Sequence, residues 1–403
     1  MTSRAANMLM LVLALWGAWA PCAMAKPVLF HRAADIRPTE YEDWIEQAVL
    51  TAKFHGARWT TGDYTTDVDR VVSRGQYEPW LCYWKLADHL GGDEDLEGYA
   101  RDACDAWRDD YSIANSGEVT GFRNYTDGLR WDWVENANTT SRDALIDQAV
   151  SAAFSGSGSM SGEFDIRDQA LSREVAYAVL AYINSEVHCG QTHNARLLPY
   201  LDLILGDVDD DVTIGMTTAN LDAGGHIEQW LDDFVATDYA PFMGAITGWA
   251  LIAAYDNAAQ INGGMEPDAR IIPKLTALSD ATWEQCWGLA NNAPTDASYY
   301  YRASDFDADD ILNDSDPDDA TNSMLSLNNM IAAVNWWLYW RTGESRFLER
   351  GDAAFNATIN APSLTDRTSA ANLDAPAKQF NELVWHTIDG LEYRRLGVLL
   401  HGN

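Results

Sequence analysis

Helical hairpins recur along this chain, and that recurrence limits its fold more than any other feature. Ala195-Arg196-Leu197-Leu198-Pro199-Tyr200-Leu201 is echoed by Ala269-Arg270-Ile271-Ile272-Pro273-Lys274-Leu275. Each copy follows an apolar helical stretch, Ser172–Ser185 and Phe242–Asn257, and a polar turn. Tyr83-Trp84-Lys85 is echoed in the same way by Tyr339-Trp340-Arg341, each followed by a glycine turn and another helix. A repeated hairpin buries its apolar face only against its neighbours, so such units assemble in series.

The rest of the chain agrees. Thr39-Glu40-Tyr41-Glu42 forms a capping box, and Trp44, Ile45, Ala48, Val49 and Ala52 then mark one helical face. Tyr77 to Leu90 reads as a second helix, stopped by Gly91-Gly92. Glu94 to Tyr111 reads as a third, with Leu96, Tyr99, Ala100, Ala103 and Trp107 inward. Gly117 to Asn138 is less regular, Ser141 starts a short helix, and Ser155–Gly162 is a Ser/Gly loop. No β-hairpin or βαβ signal intervenes. The pattern predicts an all-α fold, an α/α toroid (an incomplete barrel) of about six or seven helical hairpins, with a straight solenoid as the alternative.

Arg4, the apolar run Met8–Ala20 and Ala23-Met24-Ala25 have the form of a secretory signal peptide over residues 1–25. Residues 26–403 are then expected to be one catalytic domain, secreted or periplasmic. A formal net charge of −34 excludes nucleic acid and anionic membranes as natural partners and fits a salty medium. Cys82, Cys104, Cys189 and Cys286 remain after the signal, with Cys82–Cys104 the first candidate bridge if disulfides form. No cysteine–histidine spacing suits zinc. The acidic run Asp305–Asp310, continued by Asp314, Asp316, Asp318 and Asp319, offers oxygen ligands for calcium. Asp310 stands where an EF-hand needs glycine, so a solvated acidic loop is the reading preferred there.

Several constellations can carry chemistry. Gly224-Gly225-His226 puts an imidazole on a glycine turn, with Trp230, Phe234 and Tyr239 following. Histidine and tyrosine both serve as proton carriers. Tyr299-Tyr300-Tyr301-Arg302 cannot all face a helical core, because successive residues point about 100° apart. Arg123 and Asn124, with Trp131 and Trp133, lie in an Arg-, Asn- and Trp-rich stretch suited to stacking on sugars and bonding their hydroxyls and carboxylates. Arg173 follows Ser172 in a first helical turn, where the helix dipole does not favour a cation, so ligand binding or pairing with Glu174 or Asp168 keeps it there.

Taken together, the glycine-flanked His226, the later Tyr239, the Tyr300–Arg302 pair and the tryptophan-rich segment Arg130-Trp131-Asp132-Trp133 resemble the toroid polysaccharide lyases. These include chondroitin, hyaluronate and alginate lyases, and the glucuronan and alginate lyases of polysaccharide lyase family 38. The segment differs in one respect: it carries Arg130 where the chondroitin-lyase type has asparagine, which leaves Asn124 and Asn220 as candidates for neutralising a substrate carboxylate. The resemblance implies β-elimination on a uronate polysaccharide such as alginate or glucuronan. His226 and Tyr239 or Tyr300 would then be the proton carriers, and Arg302 a carboxylate partner. Arg123, Asn124, Trp131, Trp133, Arg173, Trp230, Tyr299 and Tyr301 would contact substrate. No metal or cofactor is implied, and a monomer is expected. Two alternatives stand beside it. One is a glycoside hydrolase pairing Asp127 or Asp132 with Glu174 or Asp238. The other is a non-catalytic carbohydrate-binding protein.

Overall fold

The regular elements are helices, and the described residues contain no strand. The computed structural model describes residues 39–153, 155, 172–205, 241–261, 263–287, 325–359, 361–365, 367 and 374–402. In chain order the helices are α1 (Thr39–Thr60), α2 (Val68–Arg74), α3 (Pro79–Leu90), α4 (Glu94–Trp107), α5 (Asp127–Asn136), α6 (Thr139–Ser151), α7 (Ser172–Cys189), α8 (Asn194–Leu205), α9 (Pro241–Asp256), α10 (Ile271–Cys286), α11 (Leu325–Thr342), α12 (Ser345–Asn356), α13 (Pro362–Thr365), α14 (Asp374–Val384) and α15 (Thr387–His401).

Two expected boundaries shift. The second helix starts at Pro79 rather than Tyr77, because proline suits a first helical position, where its missing N–H is no loss. The third ends at Trp107 and runs on as a π-turn, Arg108–Ser112. The irregular stretch holds short 3-10 turns, Ile113–Asn115 and Gly121–Arg123, before α5.

The helices fall into two kinds. Glu174–Glu186 of α7 and Ser326–Tyr339 of α11 are buried without a break, and most of α9 is buried as well. A helix apolar all round must be surrounded on every side. By contrast, α4 buries Leu96, Ala100, Ala103, Cys104 and Trp107, and α12 buries Phe347, Arg350, Gly351, Ala354 and Phe355. Those spacings of three and four make a single stripe, as an outer helix needs. Each wholly buried phenylalanine of α12 contributes about 1.5–3 kcal/mol.

The buried helices are linked in a succession of contacts that also takes in the partly exposed α5 and α15: α3 packs on α5, α5 on α7, α7 on α9, α9 on α11, α11 on α15, and α15 returns to α3. The amphipathic ones pack outside this series, α4 on α3, α6 on α5 and α7, α10 on α9 and α11, and α12 on α11. At its start the chain also meets its end, since α1 packs on α13 and α14.

Close approach between α15 and α11 depends on glycine. A Cβ at Gly390 would lie 2.5 Å from Ala333 Cβ and 2.8 Å from its Cα. Cys82 and Cys104 are buried free thiols rather than the expected bridge. The Cys82 sulfur is turned to the carbonyls of Tyr77 and Asn381, 3.6 and 3.7 Å away.

Gly390→Ala is expected to lower stability by about 1–3 kcal/mol, as overpacking does. Gly98→Ala in α4, where nothing lies within 4 Å of the new methyl, should instead raise it by roughly 0.5–1 kcal/mol. Chemical-denaturation midpoints of the two variants check this. Equal midpoints would mean that α15 and α11 are not in contact at Gly390.

Candidate functional site

The most unusual backbone lies where α3 begins. Tyr77 and Glu78 both adopt the left-handed region, with φ of 59° and 50°. That costs roughly 1–2 kcal/mol per L-residue, so the surroundings must impose it. The Glu78 carboxyl is held from two sides. It accepts the backbone N–H of Gly128 at 2.8 Å and the indole N–H of Trp385 at 3.0 Å. Gly128 is in the first turn of α5, whose N–H groups lack intrahelical partners, so a side chain of α3 caps α5. Only glycine fits there, because a Cβ would sit 1.8 Å from Trp80 Nε1.

Burial pushes the Glu78 carboxyl well above the usual carboxylate range, and the neighbouring Asp127 pushes it further. A carboxyl raised in the folded state stabilises most below its unfolded pKa. That contribution is lost as pH rises through the folded value.

Asp127 faces the same space from α5. It accepts from Asn184 Nδ2 of α7 at 2.9 Å, and Arg130 Nε lies 3.8 Å away. Its side chain keeps 14% accessibility. From α3, the Lys85 ammonium donates to the Trp385 carbonyl at 3.0 Å and to Asp389 of α15 at 2.5 Å. Burial presses the Asp389 carboxyl upward, but Lys85 and His386 outweigh it and hold the group below the carboxylate range. Even so, 31% of the Asp389 side chain is accessible. His386 is 4% exposed and stacks flat on Trp249 of α9, centroids 3.9 Å apart, with Nδ1 3.5 Å from Asp389. Its pKa falls to about 4, chiefly through burial. The fields of Asp127 and Lys85 both reach it.

The sequence echo has a structural meaning here. Lys85 pairs with Asp389, and Arg341 pairs with Asp256 of α9. In both copies of the motif the basic residue is matched by a carboxylate from a neighbouring buried helix.

The structure brings together Arg123 and Arg173. Both guanidinium groups lie over the Phe122 ring, 4.6 and 5.1 Å from its centroid. Arg173 also pairs with Glu174 at 2.7 Å, the structural partner foreseen for it. Arg123 has no carboxylate partner among the described residues, and its Nε is buried without a hydrogen bond. Beside them stand the phenols of Tyr125 and Tyr177, both within the field of Arg173. Burial raises both phenols despite that cation, so they stay protonated and act as donors. The Tyr177 hydroxyl is unpartnered in a side chain only 1% exposed.

Other expected substrate contacts have partners in the framework. Asn124 is buried and donates to Ser155 Oγ at 3.0 Å. Trp131 packs half-buried against the core, and Trp133 donates to the His188 carbonyl at 2.9 Å with Arg142 over its ring. Among the alternative carboxylates, Asp132 is saturated by Ser141, Asn136 and Asn138, with Arg108 3.7 Å away, and is structural. His226, Trp230, Tyr239, Tyr299, Tyr300, Tyr301 and Arg302 lie outside the described residues, as do Asn220, Asp238 and the acidic run 305–319.

Sequence reading missed Glu78, Lys85, His386 and Asp389. For Glu78 a signal existed: Glu-Pro at a helix start puts glutamate at the N-cap, where Ser, Thr, Asp or Asn is preferred.

Because the folded state holds His386 neutral, its unfolded form takes up a proton first as pH falls below about 6.5. Stability is therefore lost between about pH 6.5 and about 4, by up to the order of 3 kcal/mol. His386→Phe keeps a flat ring on Trp249 and removes this titration. Its unfolding midpoint should fall less steeply over that window than the parent's, and an unchanged slope would show that His386 does not titrate this way. No family model, curated protein or solved structure matches the chain.

Proposed function

We propose that this protein is a secreted, α/α-toroid enzyme that cleaves a uronate-containing polysaccharide, of alginate or glucuronan type, by β-elimination. The succession of helix contacts from α3 through α5, α7, α9, α11 and α15 back to α3, with amphipathic helices packed against several of its members, supports the toroid. The observation that carries the function is the seat formed by Arg123 and Arg173 on Phe122, with one guanidinium lacking a carboxylate partner among the described residues. In a chain of net charge −34, such a cation close to buried phenols is suited to an anionic group. Elimination begins with loss of the C5 proton and builds negative charge on the adjacent carboxylate. Fixed cationic donors lower the energy of that state. His226, with Tyr239 or Tyr300, remains the proposed proton-carrying set, and Arg302 a second carboxylate partner.

Hydrolysis on the same architecture is the second reading, favoured by Glu78 beside Asp127.

The test is incubation of the full chain with alginate, glucuronan, hyaluronate and neutral glycans. Elimination gives a conjugated double bond that absorbs in the near ultraviolet, together with new reducing ends. Arg123→Gln should raise KM for the acidic substrate about tenfold or more, as loss of a charge-assisted contact does. Reducing ends without ultraviolet absorbance, or cleavage confined to neutral glycans, would defeat the elimination reading.

A further inference from the structure

We propose that the cavity between α8, the end of α9 and the turn before α10 is a binding site in its own right, and that its ligand is a small organic ammonium, a cationic head on an apolar body of benzyl size. None of the residues assigned to glycan cleavage lines this cavity, so the two readings stand or fall separately.

The walls follow from local sequence. Leu198, Leu201 and Leu205 recur at spacings of three and four and so share one face of α8. Ala254 near the end of α9 and Ala258 just past it line the same cavity. Both are buried but stop at Cβ, which leaves room that a longer side chain would take. Ile261 and Ile271 complete the apolar lining, at 3% and 1% exposure. The turn after α9 is bonded back on itself. Gly263 and Gly264 take φ of 76° and 95°, and the Met265 N–H then donates to the Ala258 carbonyl at 2.8 Å. Helices and a bonded turn thus enclose a volume of about 200 Å³ that exists before any ligand arrives.

Its polar lining is one-sided in charge. Asp202 of α8 borders it, as do Glu266 and Asp268 of the turn. Arg270 bridges two of these, 2.6 Å from Asp202 and 2.7 Å from Asp268. Hydrogen bonds from Arg270 hold the Asp268 carboxyl below the usual carboxylate range, so it is ionised at neutral pH. Glu266 is exposed and makes no ion pair among the described residues. Lys274, one turn along α10 from Ile271, feels none of these carboxylates. Three carboxylates against one guanidinium leave the rim negative. Asp202 keeps 67% of its side chain accessible, so this side of the cavity meets water.

Apolar walls with an anionic rim select one chemistry. An ammonium head bonds to carboxylates while its apolar body leaves water. An anionic ligand is repelled by the rim, and a neutral ring gains from the walls alone. Size narrows the class further. A dry cavity of about 150 Å³ holds benzene, so about 200 Å³ admits one ring with a methylene and its ammonium at the edge.

The test is calorimetry on the full chain with benzylammonium, beside benzyl alcohol and benzoate as its neutral and anionic matches. Salt at about 0.15 M screens general attraction to the acidic exterior. Benzylammonium should bind with a dissociation constant of about 1 mM or lower. Benzyl alcohol should bind about tenfold more weakly, and benzoate should not bind. Ala258→Leu fills the cavity and should abolish binding. Glu266→Gln, a change at an exposed side chain, should weaken benzylammonium by about threefold to tenfold and leave benzyl alcohol unchanged. Circular dichroism and the unfolding midpoint establish folding. Should Ala258→Leu not fold, Leu198→Trp, at a half-buried position of the lining, takes its place. The proposal is overturned if the parent shows no benzylammonium binding up to about 10 mM. It is overturned equally if a folded, cavity-filled variant binds as the parent does, since the ligand then sits elsewhere on the acidic surface. Benzyl alcohol binding as tightly as benzylammonium overturns the role given to the carboxylates.

Discussion

Burial of α7, α9 and α11 on all sides is the constraint from which the rest of this molecule follows. A helix surrounded by other helices has no face along which a charged side chain can escape to water. Any charge it carries must be matched inside, since an unpaired buried ion costs several kcal/mol. Lys85 with Asp389 and Arg341 with Asp256 meet that demand between adjacent buried helices. Arg350 and Arg346 meet it further out, both on Asp280. These pairs do not show a net gain in stability, because desolvation offsets much of the attraction. They do explain why removing one partner alone is so damaging.

Glu78 departs from this pattern. The strongest charged influence on it is another carboxylate, Asp127, rather than a cation. The N–H groups of Gly128 and Trp385 favour its ionised form, yet burial and Asp127 prevail and raise it. Its backbone is strained, and the residue type is wrong for an N-cap. Three local rules are broken at one residue, and what the structure shows in return is the cap on Gly128 and the bond from Trp385, which tie the start of α3 to α5 and to the chain before α15.

Much of the fold was legible because helical periodicity survives in sequence. The stripe Leu96, Ala100, Ala103 and Trp107 is buried as its spacing requires, and the Tyr-Trp-Lys/Arg echo marks two buried helices with matched cations. Boundaries were less legible. Tyr77 and Glu78 continue the helical pattern in letters but not in backbone, since a left-handed turn held by remote donors leaves no local trace. The site was legible only where like residues cluster in sequence, as with Arg123. Arg173 could be suspected from its unfavourable place in a first turn. Trp385 and Asp389 join Lys85 across some three hundred residues, and neither carries a motif. Asn124, Trp131 and Trp133 show why the rest is hard to read: side chains suited to sugars are equally suited to framework contacts, as Trp133 of α5 is to the His188 carbonyl of α7 and Asn124 to Ser155.

If the substrate is the acidic polymer proposed, an acidic protein must reconcile two fields. A net charge of −34 repels a polyanion at long range. In 0.15 M salt that repulsion is screened beyond about 8 Å, and less salt extends it. Contacts at Arg123 and Arg173 act over a few ångströms, where screening is weak. On the proposed reading, ionic strength therefore has two opposed effects. It eases approach by damping the acidic exterior, and it barely touches the final contact on Phe122. An acidic exterior is thus no argument against an acidic substrate in a salty medium. On that reading, attraction acts at short range, at the Arg123 guanidinium, whose Nε is buried without a hydrogen bond among the described residues.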